Sequence, residues 1–268
     1  MIGGATQICA EAVLNALLNN AALGAPATWY VGGLTQLPDA NGENYVESAE
    51  SRTAVTANTT NFPAWAAGVV RNATAINYAA FAGTEIWLGV GLFDASTAGN
   101  LWMWVQFTSS RTILSGETFG CPAASLPFTL GMCTLGGLTQ VAAEAVLNAL
   151  LNAAALGEPA TWYVGLVTTL WDADGASYVE SAEDRISKTQ NDTNFPVWAA
   201  GLVRNGTAVE YPAFAGAETI LGAGLWDDSA AGDLWLAFEY VEAVEVAEDA
   251  AHTIPISGMS FSMGVCAE

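Results

Sequence analysis

The chain has 268 residues, is 52% hydrophobic and 12% charged, and sets 27 acidic against 6 basic side chains for a net charge of −21. Such an excess repels phosphate backbones and anionic headgroups, because nucleic-acid affinity rests on Lys and Arg displacing counterions; direct nucleic-acid and membrane partners are therefore not expected. An ordinary domain is about 25% charged, so the apolar surplus predicts surface that is buried against protein partners.

A shift of 133 residues aligns Thr6 to Cys133 with Thr139 to Cys266 without a gap, and about 70 of the 128 pairs are identical. A repeat of that length has room for its own core, so two domains are expected, residues 1–133 and 134–268. The first holds 8 acidic and 3 basic side chains (net −5) and the second 19 and 3 (net −16), which makes one copy near neutral and the other strongly acidic.

From Ala10 to Leu23, Val13, Leu14, Leu17, Leu18 and Ala21 recur at helical spacing opposite Asn15, Asn19 and Asn20. The pattern predicts one amphipathic helix, stopped by Gly24 and Pro26. "TWYVGGL" follows as a strand, and Asn41-Gly42, matched by Asp174-Gly175, predicts a hairpin with a tight type I′ turn. Past "NFP", the run "EIWLGVGLFDASTAGNLWMWVQFT" predicts a second hairpin whose strands are apolar on both faces. A short final strand, "FTLGMC" or "FSMGVC", closes each copy. The fold class is therefore mainly β: two tandem β-sandwich or jelly-roll-like domains, each with one N-terminal helix, with sandwich and jelly roll left open.

The start of the chain has no basic segment before its apolar residues and no stretch reaches 18 apolar residues, so neither a secretory signal nor a membrane span is expected. Cys9, Cys121, Cys133 and Cys266 show no C-x-x-C spacing, which predicts free thiols rather than a zinc site. No cofactor is expected.

Chemistry is hard to find. His252 is the sole histidine and aligns with Phe119 of the other copy, which predicts a packing or surface position rather than a catalytic base. "VESAESR" and "VESAEDR" place Glu50 with Arg52, and Glu183 with Arg185, on one side of an alternating strand, with Glu47 on the other. Arg52, Arg71, Arg185 and Arg204 recur in both copies and, with Glu50 and Glu183, are the candidate structural ion pairs. "DASTAGN" and "DDSAAGD" resemble a calcium loop but have Val105 or Phe238 where a bidentate Glu belongs, so a turn closed by Asp hydrogen bonds is the simpler reading. Trp29, Trp65 and Trp102, with Trp162, Trp198 and Trp235, sit in apolar runs and are expected in the core. The Asn-x-Thr sites at Asn58, Asn72, Asn191 and Asn205 are read as turn asparagines. No enzyme activity is expected.

The copies diverge most where "MWVQFTSSRTILSGETFGC" faces "LAFEYVEAVEVAEDAAHTI". This neutral edge of the first copy, with Gln106, Ser109, Arg111 and Thr112, is the candidate partner contact, and the acidic edge of the second is expected to face water.

"LNALLN", "PATWYVGL" and the "GLFDASTAGNLW" hairpin with its last strands resemble small tailed-bacteriophage virion structural proteins of the tail-fibre-like and capsid-decoration kind, here as a tandem duplication. That resemblance implies a virion component made in the host cytoplasm. Joining two modules makes the second engagement intramolecular and raises avidity by about 10² to 10⁴. The leading expectation is a cement protein on the capsid surface that bridges major capsid protein subunits as a homo-oligomer, a trimer favoured, with the first copy facing the capsid. The alternative is a tail-fibre or baseplate module that recognises host-surface glycans.

Overall fold

The computed structural model describes residues 3–39, 42–64, 66, 69–130, 132–133, 136–172, 175–197, 199 and 203–261. The chain is mainly β, with two similar halves that each carry one helix near the start, as the repeat predicts. Among the described residues no helix is long and apolar enough to cross a membrane.

In the first half, β1 (Gly3–Ala5) precedes α1 (Gln7–Asn19) and is followed by β2 (Thr28–Gln36), β3 (Val46–Glu47), β4 (Thr53–Thr56), β5 (Val70–Arg71), β6 (Ile76–Tyr78), β7 (Glu85–Phe93), β8 (Leu101–Ile113), β9 (Phe119–Cys121) and β10 (Pro127–Phe128). The second half repeats this with β11 (Met132–Cys133), β12 (Gly136–Leu138), α2 (Gln140–Asn152), β13 (Thr161–Thr169), β14 (Val179–Glu180), β15 (Ile186–Thr189), β16 (Val203–Arg204), β17 (Val209–Ala213), β18 (Glu218–Trp226), β19 (Leu234–Val246), β20 (Ala251–Ile254) and β21 (Ser260–Phe261).

One antiparallel sheet dominates each half. In the first it runs β1-β8-β7-β2, and β3 and β4 lie one after the other along the free edge of β2. Two ribbons, β5 with β10 and β6 with β9, complete the set. The middles of β2 and β7 are buried at consecutive residues, so both faces of the sheet are covered, as their unbroken apolar runs predict.

The compact units are not the two contiguous halves. The first comprises residues 1–10, 24–130 and 144–156; the second comprises residues 11–23, 131–143 and 157–268. The helical segment 11–23 thus belongs with the strands of the second half, and 144–156 with those of the first. Within the first unit the Trp29 indole donates to the Leu150 carbonyl at 2.8 Å. Within the second, Trp162 donates to the Leu17 carbonyl at 2.7 Å, and the Gln190 amide reaches the carbonyls of Ala16 and Leu17. These bonds satisfy carbonyls near helix ends that have lost their own helical donors.

Three local details depart from the sequence pattern. The helix begins under Thr6, whose hydroxyl accepts from the Cys9 amide and donates to the Leu101 carbonyl, tying the cap to the sheet. It ends at Asn20, not Gly24: Asn20 takes φ +59°, its counterpart Ala153 takes +55°, and the Ala21 amide closes back on the Asn15 carbonyl. The first hairpin is not a two-residue turn. Gly42 (φ +81°) donates to the Asp39 carbonyl inside a longer loop between β2 and β3. Asn41 and Asp174 lie outside the described residues.

Candidate functional site

The break between β3 and β4 decides the fate of the conserved-spacing arginines. Residues 48–52 leave the strand, so alternation no longer sorts their side chains. Arg52 therefore turns back to Glu47, its Nε and Nη2 meeting Oε1 and Oε2 at 2.6 and 2.7 Å. Its Nη1 donates to the carbonyls of Ala95 and Ala98, and its plane lies 3.6 Å from the Phe93 ring centroid. Arg185 repeats the arrangement with Glu180, Asp228, Ala231 and the Trp226 ring.

The expected pairing with Glu50 and Glu183 is corrected: these carboxylates accept from the backbone amides of Ala82 and Ala215 instead. Arg71 and Arg204 are exposed and form no ion pair among the described residues, although Arg71 reaches the Ala124 carbonyl at 3.4 Å. All four carboxylates therefore have identified partners within their own copy.

The Asp94 turn follows the simpler reading. Asp94 accepts from the Asn100 amide and side chain and from the Trp102 indole, and Asp227 accepts from the Asp233 backbone amide and the Trp235 indole. Burial pushes the Asp94 carboxyl upward, but these hydrogen bonds outweigh it and hold the group below its ordinary range. Trp29, Trp102, Trp162 and Trp235 are buried, as expected; Trp65 and Trp198 lie outside the described residues. Cys9 and Cys121 are free and buried, which pushes both thiols up to about 12. The Cys133 side chain and Cys266 lie outside the described residues.

The divergent edge contains the one open feature that gathers sequence candidates. Between the pairs Trp87–Arg111 and Gly89–Gln106, β7 advances two residues while β8 advances five, so three extra residues of β8 swing out of register. The slip throws Phe107 and Thr108 toward β9, where the Phe107 and Phe119 rings lie 6.1 Å apart at 57°. A pocket of about 340 Å³ opens there, lined by Phe107, Thr108, Arg111, Phe119, Gly120, Cys121, Pro122 and Ser125.

Asn72 braces one wall from behind. Only 1% exposed, it donates to the carbonyls of Thr74 and Pro122 and accepts from the Leu126 amide, fixing the loop that presents Pro122 and Ser125. The turn-asparagine reading holds for this residue and for Asn205, which makes the matching bonds in the second copy.

Of the four candidate contact residues, Arg111 lines the pocket. Gln106 sits at the start of the slip, Ser109 within it, and Thr112 beyond it opposite Ile86. Arg111 is exposed and makes no hydrogen bond or ion pair with a described residue. The aromatic wall was missed in the sequence, although two phenylalanines in so polar a stretch were its signal.

The second copy slips identically between Ile220–Val244 and Gly222–Glu239, and Tyr240 and His252 stand where the first has Phe107 and Phe119. His252 stacks on Tyr211, with ring centroids 6.2 Å apart, and neither its Nε2 nor the Tyr240 hydroxyl has a hydrogen-bond partner among the described residues. Burial lowers the imidazole pKa and raises that of the phenol. This is the packing position the sequence predicts.

Comparison with curated proteins gives no match. Comparison with protein families matches "Podophage GP4 fiber I protein gp80" twice, over residues 4–129 and again over 137–262. Two matches in tandem span nearly the whole chain and coincide with the internal repeat, so the protein belongs to this podophage fibre family as a duplicated member.

Proposed function

We propose that this virion protein is a tail-side fibre module that works by binding and not by catalysis, its two copies giving one chain two attachment units. The observation that carries the reading is the fibre-family match across both halves. It supports a fibre location over decoration of the head, for which the duplication, the low charge of the first copy and the family resemblance were the arguments. Glu47, Glu50, Glu180 and Glu183 accept hydrogen bonds from their own copy, which suits a structural use of these carboxylates and supports a binding role.

Quantitative mass spectrometry of purified particles, with antibody labelling by electron microscopy, tests the location. Few copies confined to the tail are expected. Many copies distributed over the head would return the protein to the cement role and to the major capsid protein as its partner.

A further inference from the structure

The geometry points to the pocket between β8 and β9 of the first copy as a binding site for one carboxylate-bearing sugar unit, a hexuronate, held by Arg111 against Phe107 and Phe119. The inference rests on the fibre reading only for the supposition that a surface saccharide is at hand.

The size fits, since small-ligand pockets begin at about 300 Å³ and this one measures about 340 Å³. Its walls mix two chemistries in the proportion a sugar ring presents. Phe107 and Phe119 offer tilted apolar faces for the C–H side of a pyranose. Thr108 and Ser125 also line it and bring hydroxyls; Ser125 donates to the Pro122 carbonyl, which leaves its oxygen lone pairs to accept from a sugar hydroxyl.

The charge identifies the substituent. Arg52 is saturated by a carboxylate, two carbonyls and a ring, whereas Arg111, beside the cavity, spends no donor on a described residue. A guanidinium matches a carboxylate in a planar, two-bond geometry. A net charge of −21 repels polyanions at long range, so a site that reads one negative group on an otherwise neutral ring fits this protein better than one for a nucleic acid.

The second copy is an internal control. The backbone slip is the same, but Val244 replaces Arg111, and Glu242 and Glu245 replace Ser109 and Thr112. The site is therefore one per chain, and it is the first copy that reads the acid.

Titration calorimetry of the full chain with D-glucuronate, and in parallel with D-glucose and acetate, tests the assignment. Expected are one glucuronate site per chain, markedly weaker binding of both controls, and a loss of about tenfold or more in Arg111→Gln, the range for removing a charged hydrogen bond. The melting temperature of the variant reports that its fold is intact. No binding of glucuronate, a second equal site, binding unaffected by Arg111→Gln, or acetate bound as tightly as glucuronate would each overturn it. A failed titration leaves the fibre location standing, and a head location found by copy number leaves the titration standing, so the two readings fail separately.

Discussion

Arg52 grips Glu47 through two parallel hydrogen bonds of 2.6 and 2.7 Å, five residues apart across a break in the sheet edge. The Arg52 side chain is only 5% exposed and also fastens the Ala95–Ala98 turn, so a single guanidinium joins β3 to the β7–β8 hairpin. A lysine keeps the charge but cannot form the fork, and the Glu47 carboxylate would lose a donor it is built around. Arg52→Lys is expected to cost about 2 to 4 kcal/mol, in the range for breaking a partly buried pair. Urea unfolding of this variant and of Arg185→Lys should give similar losses.

Gly33 and Trp87 are a matched pair. A Cβ on Gly33 would lie 2.1 Å from the Trp87 ring, and the second copy places Leu166 and Ile220 at these two positions. Bulk has been moved from one strand to the other, the smaller residue at one position being met by the larger at its neighbour. Gly33→Leu alone should destabilise by about 3 kcal/mol or more through overpacking, and adding Trp87→Ile should recover most of that loss. Denaturation of the two single variants and the double variant forms the cycle that measures the coupling.

Ala153 holds φ +55° with a side chain that gains nothing from it, being exposed. The left-handed region costs a Cβ-bearing residue about 1 to 2 kcal/mol. Ala153→Gly is therefore expected to raise stability by about 0.5 to 1 kcal/mol, seen as a higher melting temperature.

Acid should unfold the protein in two stages. His252 has its imidazole lowered below the ordinary 6.5 by burial, so the unfolded chain takes up that proton first as pH falls, and stability declines from about that pH downward. Glu85 is pushed up by burial, but bonds from Ser48, Trp87 and Ala49 hold it low overall, and Asp94 is likewise low. The stability these carboxylates add is present above their ordinary values of 4.5 and 3.8 and is lost as pH falls below those values through the lower folded-state ones. Melting temperatures measured from pH 8 to 3 should show both stages, and His252→Phe, which installs the first copy's residue, should remove the upper one.

A fragment of residues 1–133 contains the helical segment 11–23, which belongs with the other half, and lacks 144–156, which belongs with its own. The two segments differ only at Asn20 against Ala153. Two fragments can therefore complete one another by trading helices. Light scattering should find a dimer; a folded monomer would show that the helix can return to its own strands.

Periodicity made the helix, the β7–β8 hairpin and the doubly buried strands legible, because each is a local repeat of apolar residues. Composition also made the Asp94 turn and the turn asparagines readable. The helix stop was misplaced because Asn20 and Ala153 adopt a glycine-like angle without being glycine. Pairing Arg52 with Glu50 assumed an unbroken strand, and the slip in β8 that builds the pocket leaves no mark on alternation. The helix trade was invisible for a plainer reason: near-identical segments carry no label saying which strands they suit.

That trade decides where a lost repeat would leave a folded remainder. Deleting 24–156 removes the first sheet together with the helix that belongs to it and leaves 11–23 joined to 157–268, with the Trp162 indole still answered by the Leu17 carbonyl. Deleting either contiguous half instead parts Trp29 or Trp162 from its acceptor, so the joint between helix and sheet is the tolerant place for such a loss.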